Sequence, residues 1–427
     1  MKQADGKTID PKYIGVLDGI RALSVIIVLI FHFWQQTWIF PIIKTPFLAS
    51  IGLDEINFSN FARVGFLFVD LLVMLSGFLL FLPVMRQIFL GEDMDSWKTY
   101  AKKRLARILP SYYFAVLVVF FSVALPGGQY SSANVQLTPL RDLFSHLTFT
   151  HIFSPDTYFY TPLPRALWTV AVEVWFYFVF PLFAEMIKRR KGTDERKAKI
   201  ISVVTILILF LAFNLISSWW EKSQVMKPGV NTAFKINQLP SFMGAYANGM
   251  LGAMIFVWIA KHCERTTGLA AANTLLSILS VAYIVHMVND CSALSGAEQQ
   301  LWQVTERFRL TAAFTVFIIS TALSSRWYRF IFSNKLMHFL ALISYNLYIW
   351  HQWLAVYLKF NLRIPPWEGT TPPNQLGDRA WMNNYALVIT VAAFAVATLA
   401  TLLIERPFSK LILGKFKKKQ KPQELPQ

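Results

Sequence analysis

Charge is scarce in this chain. Asp, Glu, Lys and Arg together make up 15% of its 427 residues, against 55% hydrophobic residues, and the mean hydropathy is +0.43. A water-soluble domain carries about a quarter charged residues, so this composition excludes one and points to a multi-span membrane protein. Cysteine is nearly absent. Cys263 and Cys291 fall at opposite ends of one expected span, too far apart to pair. No Cys/His cluster has metal-ligand spacing, and neither a Walker-type phosphate loop nor an HExxH helix occurs. Tandem repeats, low-complexity segments and an appended soluble domain are not visible either. Acids are the scarcer sign, 24 against 41 Lys and Arg, for a net charge of +17. In a soluble protein that excess would suggest nucleic acid. Here the basic residues cluster between apolar runs, where membrane topology accounts for them.

What is present is a succession of long apolar runs. The expected fold is all-α, a polytopic membrane bundle of about ten helices at about 15–34, 62–85, 108–126, 166–188, 199–218, 239–260, 269–289, 308–324, 336–358 and 384–404. The first run is too long and too charged for a cleaved signal peptide. With the N-terminus inside, Lys2, Lys7, Lys12, Arg86 to Arg107, Lys188 to Lys199, Lys261, Arg265, Arg326 to Lys335 and Arg406 to Lys421 share one side, a positive-inside pattern. An even number of spans puts both termini in the cytoplasm. The expected organisation is a cytoplasmic segment 1–14, a membrane domain 15–408 and a basic cytoplasmic tail 409–427. The tail's Lys415-Phe416-Lys417-Lys418-Lys419 run would lie on the anionic leaflet. The longest outer loop, 127–165, carries a short interfacial segment near Phe149–Phe153, and 361–383 forms another outer loop.

Against that background the ionisable residues inside the runs stand out, because such groups are costly in a membrane and face a protein interior or a wet cavity. The first run holds Asp18-Gly19-Ile20-Arg21 and, eleven residues after the arginine, His32. At about 100° per residue eleven steps make about three turns, so Arg21 and His32 share one face about 16 Å apart. Asp18 sits one turn before Arg21 and can pair with it. Asp70 in span two, Glu173 in span four and His351 in span nine come out at about the depth of His32 when counted at 1.5 Å per residue. Two carboxylates and two histidines at one level describe a polar cavity, or else structural pairs joining the bundle. At the other face Arg104 and Arg107 open span three near Arg21, and Glu405 closes span ten. Three converging arginines can hold phosphates bidentately.

These blocks carry a resemblance. The chain resembles the acyltransferase-3 family of integral membrane acyltransferases, which includes bacterial sugar O-acetyltransferases. Leu17 to Ala22 followed by His32 is similar to the family's R-x10-H signature. Val69-Asp70 through Ser76-Gly77-Phe78 resembles its second-span motif, and Arg104 to Tyr113 its Arg-x-x-Arg-Ile-x-Pro-x-Tyr motif. Trp168 to Pro181, Ser344-Tyr345 to His351, and Glu405-Arg406-Pro407-Phe408 follow in the family order. The departures are Thr169 and Ala171 at Ser or Ser-like positions, and Val174 where a second acid is common.

The resemblance implies a fold and a chemistry. Acyl-CoA, most simply acetyl-CoA, would be a donor substrate rather than a resident cofactor, and no metal is implied. Arg21, Arg104 and Arg107 would hold the CoA phosphates near the inner face. His32 would be the general base, oriented by Glu173 or Asp70, or would carry the acyl group transiently. Asp18, Tyr345, His351 and Glu405 would complete the polar layer. The acceptor would be a glycan or a lipid-linked sugar, the partners would include membrane lipid but no nucleic acid, and the location would be the bacterial cytoplasmic membrane. A polytopic transporter with an intramembrane polar site is the alternative, and a structural membrane protein a third reading. Only the enzyme has reason to bind acyl-CoA.

Overall fold

The computed structural model describes residues 15–52, 54–130, 137–188, 194–227 and 231–417. The expected segment 1–14 with its lysines, Lys191, and the tail from Lys418 onward lie outside the described residues. The rest is a bundle of long helices, here numbered by span. Helix one is Val16–Thr37, helix two Phe68–Leu90, helix three Trp97–Val119, helix four Leu167–Ile187 and helix five Glu195–Trp220. Helix six is Leu239–His262, seven Thr267–Ser292, eight Arg307–Leu323, nine Lys335–Phe360 and ten Arg379–Ala400. The all-α expectation holds but for one small hairpin, in which Ile42–Lys44 pairs antiparallel with Glu55–Asn57.

Side-chain caps start the helices where the sequence offers them. Ser96, Asp194, Thr266, Asn334 and Asp378 each accept a hydrogen bond from a backbone N–H three residues on. Among the described residues eight helices are long and apolar enough to cross a membrane, nine if Arg307–Leu323 and Arg326–Phe360, bent by 115°, count as one span. The difference from ten lies in this pair. Helix eight has only 17 residues, and helix nine carries Lys335, His338, Asn346, His351 and Lys359, which lower its hydropathy. Contacts nevertheless carry each arm along the bundle. Helix eight runs from Arg307, paired with Asp70, to Ser324, whose carbonyl accepts from Arg265 at 2.8 Å. The amphipathic helix Arg326–Ser333 then turns the chain.

Helix nine lies parallel to helix one. His338 is 3.7 Å from Asp18 near their first turns, and Lys359 Nζ donates to the Gln36 carbonyl at 2.8 Å near their last. The bundle thus has an arginine end, with Asp18, Arg21, Arg107 and Glu405, and a histidine end, with His32 and His351. The described parts of the loop 127–165 pack against helices three and four and the start of helix six through hydrogen bonds from Tyr112 to the His146 carbonyl, Trp175 to that of Phe149 and Gln238 to that of Ile152. Within it buried Asp142 accepts from Tyr130 and Thr161, both at 2.8 Å. The expected interfacial stretch is a tight turn, His151–Phe153, whose Ile152 is fully buried. Leu207, Ile208, Leu211 and Leu215 on helix five and Leu275, Ile278 and Leu279 on helix seven stay exposed, the apolar surface a lipid-facing helix presents.

Helices two and six pack backbone against backbone, and glycine permits it. A Cβ on Gly249 would stand 2.2 Å from the Met74 carbonyl oxygen, and one on Gly77 would stand 2.9 Å from that of Tyr246. Backbone cannot retreat as a side-chain tip can. Gly249→Ala is therefore expected to destabilise by about 1–3 kcal/mol, the usual cost of overpacking. Gly268→Ala, where nothing lies within 4 Å, serves as its control. Thermal unfolding in detergent checks the pair: equal midpoints would show that the helices separate at no cost.

Candidate active site

The residues singled out in the sequence fall into three groups. The first is a histidine pair. His32 Nδ1 and His351 Nε2 are 3.0 Å apart. His351 Nδ1 lies 3.0 Å and 2.9 Å from the carbonyl oxygens of Leu347 and Tyr348. Carbonyls only accept, so His351 carries its hydrogen on Nδ1 and offers the Nε2 lone pair. His32 must then carry its hydrogen on Nδ1, shared between His351 and the Val28 carbonyl at 3.0 Å. The hydrogen-bond network thereby assigns both tautomers. His32 Nε2 has no hydrogen-bond partner among the described residues, and in the neutral ring it keeps its in-plane lone pair. The rings meet edge to face with centroids 4.9 Å apart.

The second group surrounds a narrow cavity of about 90 Å³. Arg21, Ser76, Arg107, Glu173, Tyr345 and Tyr348 line it, with Val25 and Val69 among its apolar walls. Glu173 accepts from the hydroxyls of Ser76 and Tyr177, and Tyr348 from Thr169 at 2.9 Å. Tyr345 donates to the Ile108 carbonyl at 3.1 Å. Glu173 is therefore with the arginines, one layer away from the histidine pair where counting along span four put it. Arg21 is 3.8 Å from Asp18, the expected one-turn pair. Glu405 closes this end, accepting from Asn346 Nδ2 at 2.7 Å. Arg104 is not among the residues lining the cavity; it stacks on the rings of Tyr100 and Tyr177 at 5.6 and 5.2 Å.

The third group is a buried ion pair that the sequence reading did not contain. Asp70 Oδ1 is 3.1 Å from Arg307 Nε, and Asp70 Oδ2 accepts from Gln303 at 3.4 Å. Arg307 also donates to the Ser241 carbonyl and hydroxyl at 2.9 and 2.5 Å and lies 4.2 Å above the Phe242 ring. Asp70 is thus paired with Arg307 of helix eight and does not touch His32. Neither carboxylate considered for orienting His32 contacts it; the residue that does is His351. The overlooked signal was an arginine at the very start of span eight, opposite the only acid of span two.

Chemically, the arrangement is an imidazole whose Nε2 has no hydrogen-bond partner among the described residues, on the same helix face as an arginine that lines a narrow cavity. A family model described as an acyltransferase domain matches residues 14–406. The chain belongs to the acyltransferase-3 family. Two curated family relatives are similar to it at low identity. One is the peptidoglycan O-acetyltransferase OatA of Listeria monocytogenes, 24% identical over 406 residues, which are 93% of this chain and 56% of the relative. The other is the O-acetyltransferase OatA of Staphylococcus aureus, 23% identical over 369 residues, 83% of this chain and 52% of the relative. The chain spans about half the length of the curated relatives it matches. No solved structure matches it.

The tautomer assignment is directly testable. Nitrogen-15 spectra of histidine-labelled protein in lipid should show His32 protonated at Nδ1 and bare at Nε2. In His351→Leu, which removes one of the two acceptors and leaves the Val28 carbonyl, the share of Nε2-protonated ring should rise while the Nδ1 form persists. A wild-type His32 protonated at Nε2 would refute the network.

Proposed function

We propose that the chain is a membrane O-acyltransferase that moves an acyl group, acetyl in the simplest case, from acyl-CoA to a hydroxyl of a sugar or glycan. The observation that carries this is the alignment on helix one. Arg21, Val25 and His32 share a face, Arg21 and Val25 line the narrow cavity, and His32 keeps its Nε2 lone pair through His351. Family membership and the names of the OatA relatives support the same reaction. In this reading the arginine end faces the cytoplasm, where basic loops belong, and the membrane is the bacterial cytoplasmic membrane.

The donor's phosphates bind Arg21 and Arg107 through charge-assisted hydrogen bonds, and its acyl-thioester end reaches toward His32. His32 Nε2 takes the proton of the acceptor hydroxyl as that oxygen attacks the thioester carbonyl. The C–O bond forms, the C–S bond breaks, and the departing CoA sulfur receives the proton from the imidazolium. His351 accepts the Nδ1 hydrogen throughout and fixes the ring, the part a third group plays toward a base in other acyl transfers. Glu173, held by Ser76 and Tyr177, balances charge beside the arginines. Held there, it does not orient the histidine.

Two variants separate binding from chemistry. His32→Ala should still bind acyl-CoA but transfer nothing, whereas wild-type turnover in folded His32→Ala protein would end the base assignment. Arg21→Ala should weaken donor binding about ten- to a hundredfold, since a charge-assisted phosphate contact contributes about 1.5–3 kcal/mol. Arg21→Lys should recover part of it, because a point charge cannot reproduce the bidentate fork. Calorimetry with a non-hydrolysable acyl-CoA analogue reads both, and an unchanged affinity would leave Arg21 as the structural partner of Asp18.

Sidedness has its own test. Single cysteines placed at 191 and 418 should resist impermeant labelling of intact cells, and one at 366 should react. Labelling at 191 would reverse the donor and acceptor sides.

A further inference from the structure

We infer that the acceptor enters through the cleft at the histidine end between helices one and two and the segment before helix eight, and that the cleft takes an uncharged saccharide. The inference rests on the acyl-transfer reading and adds to it the place and the chemistry of acceptor recognition. The cleft holds about 570 Å³, within the size range of small-molecule sites. It borders the catalytic layer on two sides. Phe31, Trp34 and Gln35, the neighbours of His32 on helix one, line it, and Val69 is a wall of both this cleft and the narrow arginine cavity. The donor cavity and the cleft therefore share the Val69 wall, and His32, which lines neither, lies against Phe31 of the cleft with ring centroids 4.9 Å apart.

Its lining selects the ligand. Five carboxamides face it, from Gln35, Asn237, Gln299, Gln300 and Gln303, and no carboxylate lines it. Three of them are already fixed through their NH2 groups. Asn237 donates to the Tyr158 hydroxyl at 2.6 Å, Gln299 to the Leu294 carbonyl at 3.0 Å, and Gln303 to Asp70 at 3.4 Å. Among the described residues the carbonyl oxygen of each has no donor. Pre-positioned acceptors suit a molecule with many hydroxyl donors. Trp34 and Trp168 add aromatic surface, and each is backed by another ring, Phe40 at 5.6 Å and Phe242 at 6.0 Å. The C–H face of a sugar packs on such rings while its hydroxyls reach the amides. The one charge, Arg63, sits over the same Phe40 ring at 5.1 Å. A cationic amino sugar would find no acid here.

A second polar cleft, lined by Gln129, Arg165, Gln352, Trp353 and Tyr357, opens on the same end. It shares Gln35 with the first but no residue with the arginine cavity, so it has no common wall with the donor.

The experiment measures CoA release from acetyl-CoA by protein in lipid nanodiscs, with a panel of uncharged oligosaccharides (glucose, galactose, mannose and N-acetylhexosamine oligomers) as acceptors. Trp34→Ala and Gln299→Ala should each raise the acceptor KM about tenfold and leave acyl-CoA affinity unchanged, the latter also showing that the variants fold. Gln300→Glu, assayed with glucosamine oligomers beside the panel, should shift preference toward the amine-bearing ones. Gln352→Ala, in the second cleft, should leave the acceptor KM as it is. Sugar-dependent release with wild-type KM in Trp34→Ala and Gln299→Ala, or a KM that responds only to Gln352→Ala, overturns the cleft assignment while leaving acyl transfer standing. No sugar-dependent release by wild-type protein with any oligomer overturns the acyl-transfer reading, and the inference with it.

Discussion

A charged or polar side chain buried between apolar helices has to find its partner inside the bundle, since neither lipid nor bulk water will supply one. Most of what distinguishes this molecule follows from that constraint. Asp70 is fully buried and is met by Arg307 from helix eight. His351, equally buried, is met by two carbonyls of its own helix on one nitrogen and by His32 on the other. Glu173 is met by two hydroxyls, and Glu405 by Asn346. The Asp70–Arg307 and His32–His351 pairings tie together helices distant in sequence, so these polar residues also fix how the helices lie.

Helix one can stand among so many neighbours because its contacts are close. A Cβ on Gly19 would lie 1.9 Å from the Phe332 carbonyl oxygen, and one on Gly65 would lie 2.6 Å from that of Ile27. Small residues at such crossings bring backbones together where van der Waals packing is the main force between helices. The register between helices one and nine is held at their two ends, by His338 near Asp18 and by Lys359 on the Gln36 carbonyl, and that register is what places His351 opposite His32. A slide of one residue, about 1.5 Å, would spoil the 3.0 Å contact between the rings.

The fold was legible because long apolar runs have few alternatives in a membrane. The arginine–histidine alignment on helix one was legible because it depends only on the period of a single helix. What could not be read was how one helix is rotated and shifted against another. Counting residues from a loop put Glu173 and Asp70 level with His32. In the structure Glu173 keeps company with Arg21 and Arg107, and Asp70 faces Arg307. His351 was seen as polar and intramembrane, but its pairing with His32 depends on the parallel course of helices one and nine. That course follows from the 115° bend after helix eight. Helices eight and nine were visible to a reader of apolar runs, though by length and composition they count together as one span at most, because helix eight is short and helix nine is diluted by polar residues.

The Asp70–Arg307 pair then has a meaning that its distance from the imidazole would not suggest. A buried ion pair is seldom retained for stability alone, since well-packed apolar residues often do as well, whereas losing one partner costs about 3–5 kcal/mol. This pair sits behind the wall that the narrow arginine cavity and the cleft have in common. Val69, the wall they share, is the residue next to Asp70. Gln303 reaches Asp70 from the cleft lining, and Arg307 lies on Phe242, the ring that backs Trp168. One salt bridge therefore holds helix two, helix eight and the Trp168–Phe242 stack in a fixed relation around the place where acyl group and hydroxyl would have to meet. Its absence from contact with His32 is consistent with that part: the histidine pair keeps the base nitrogen free, and the ion pair keeps the walls around it in place.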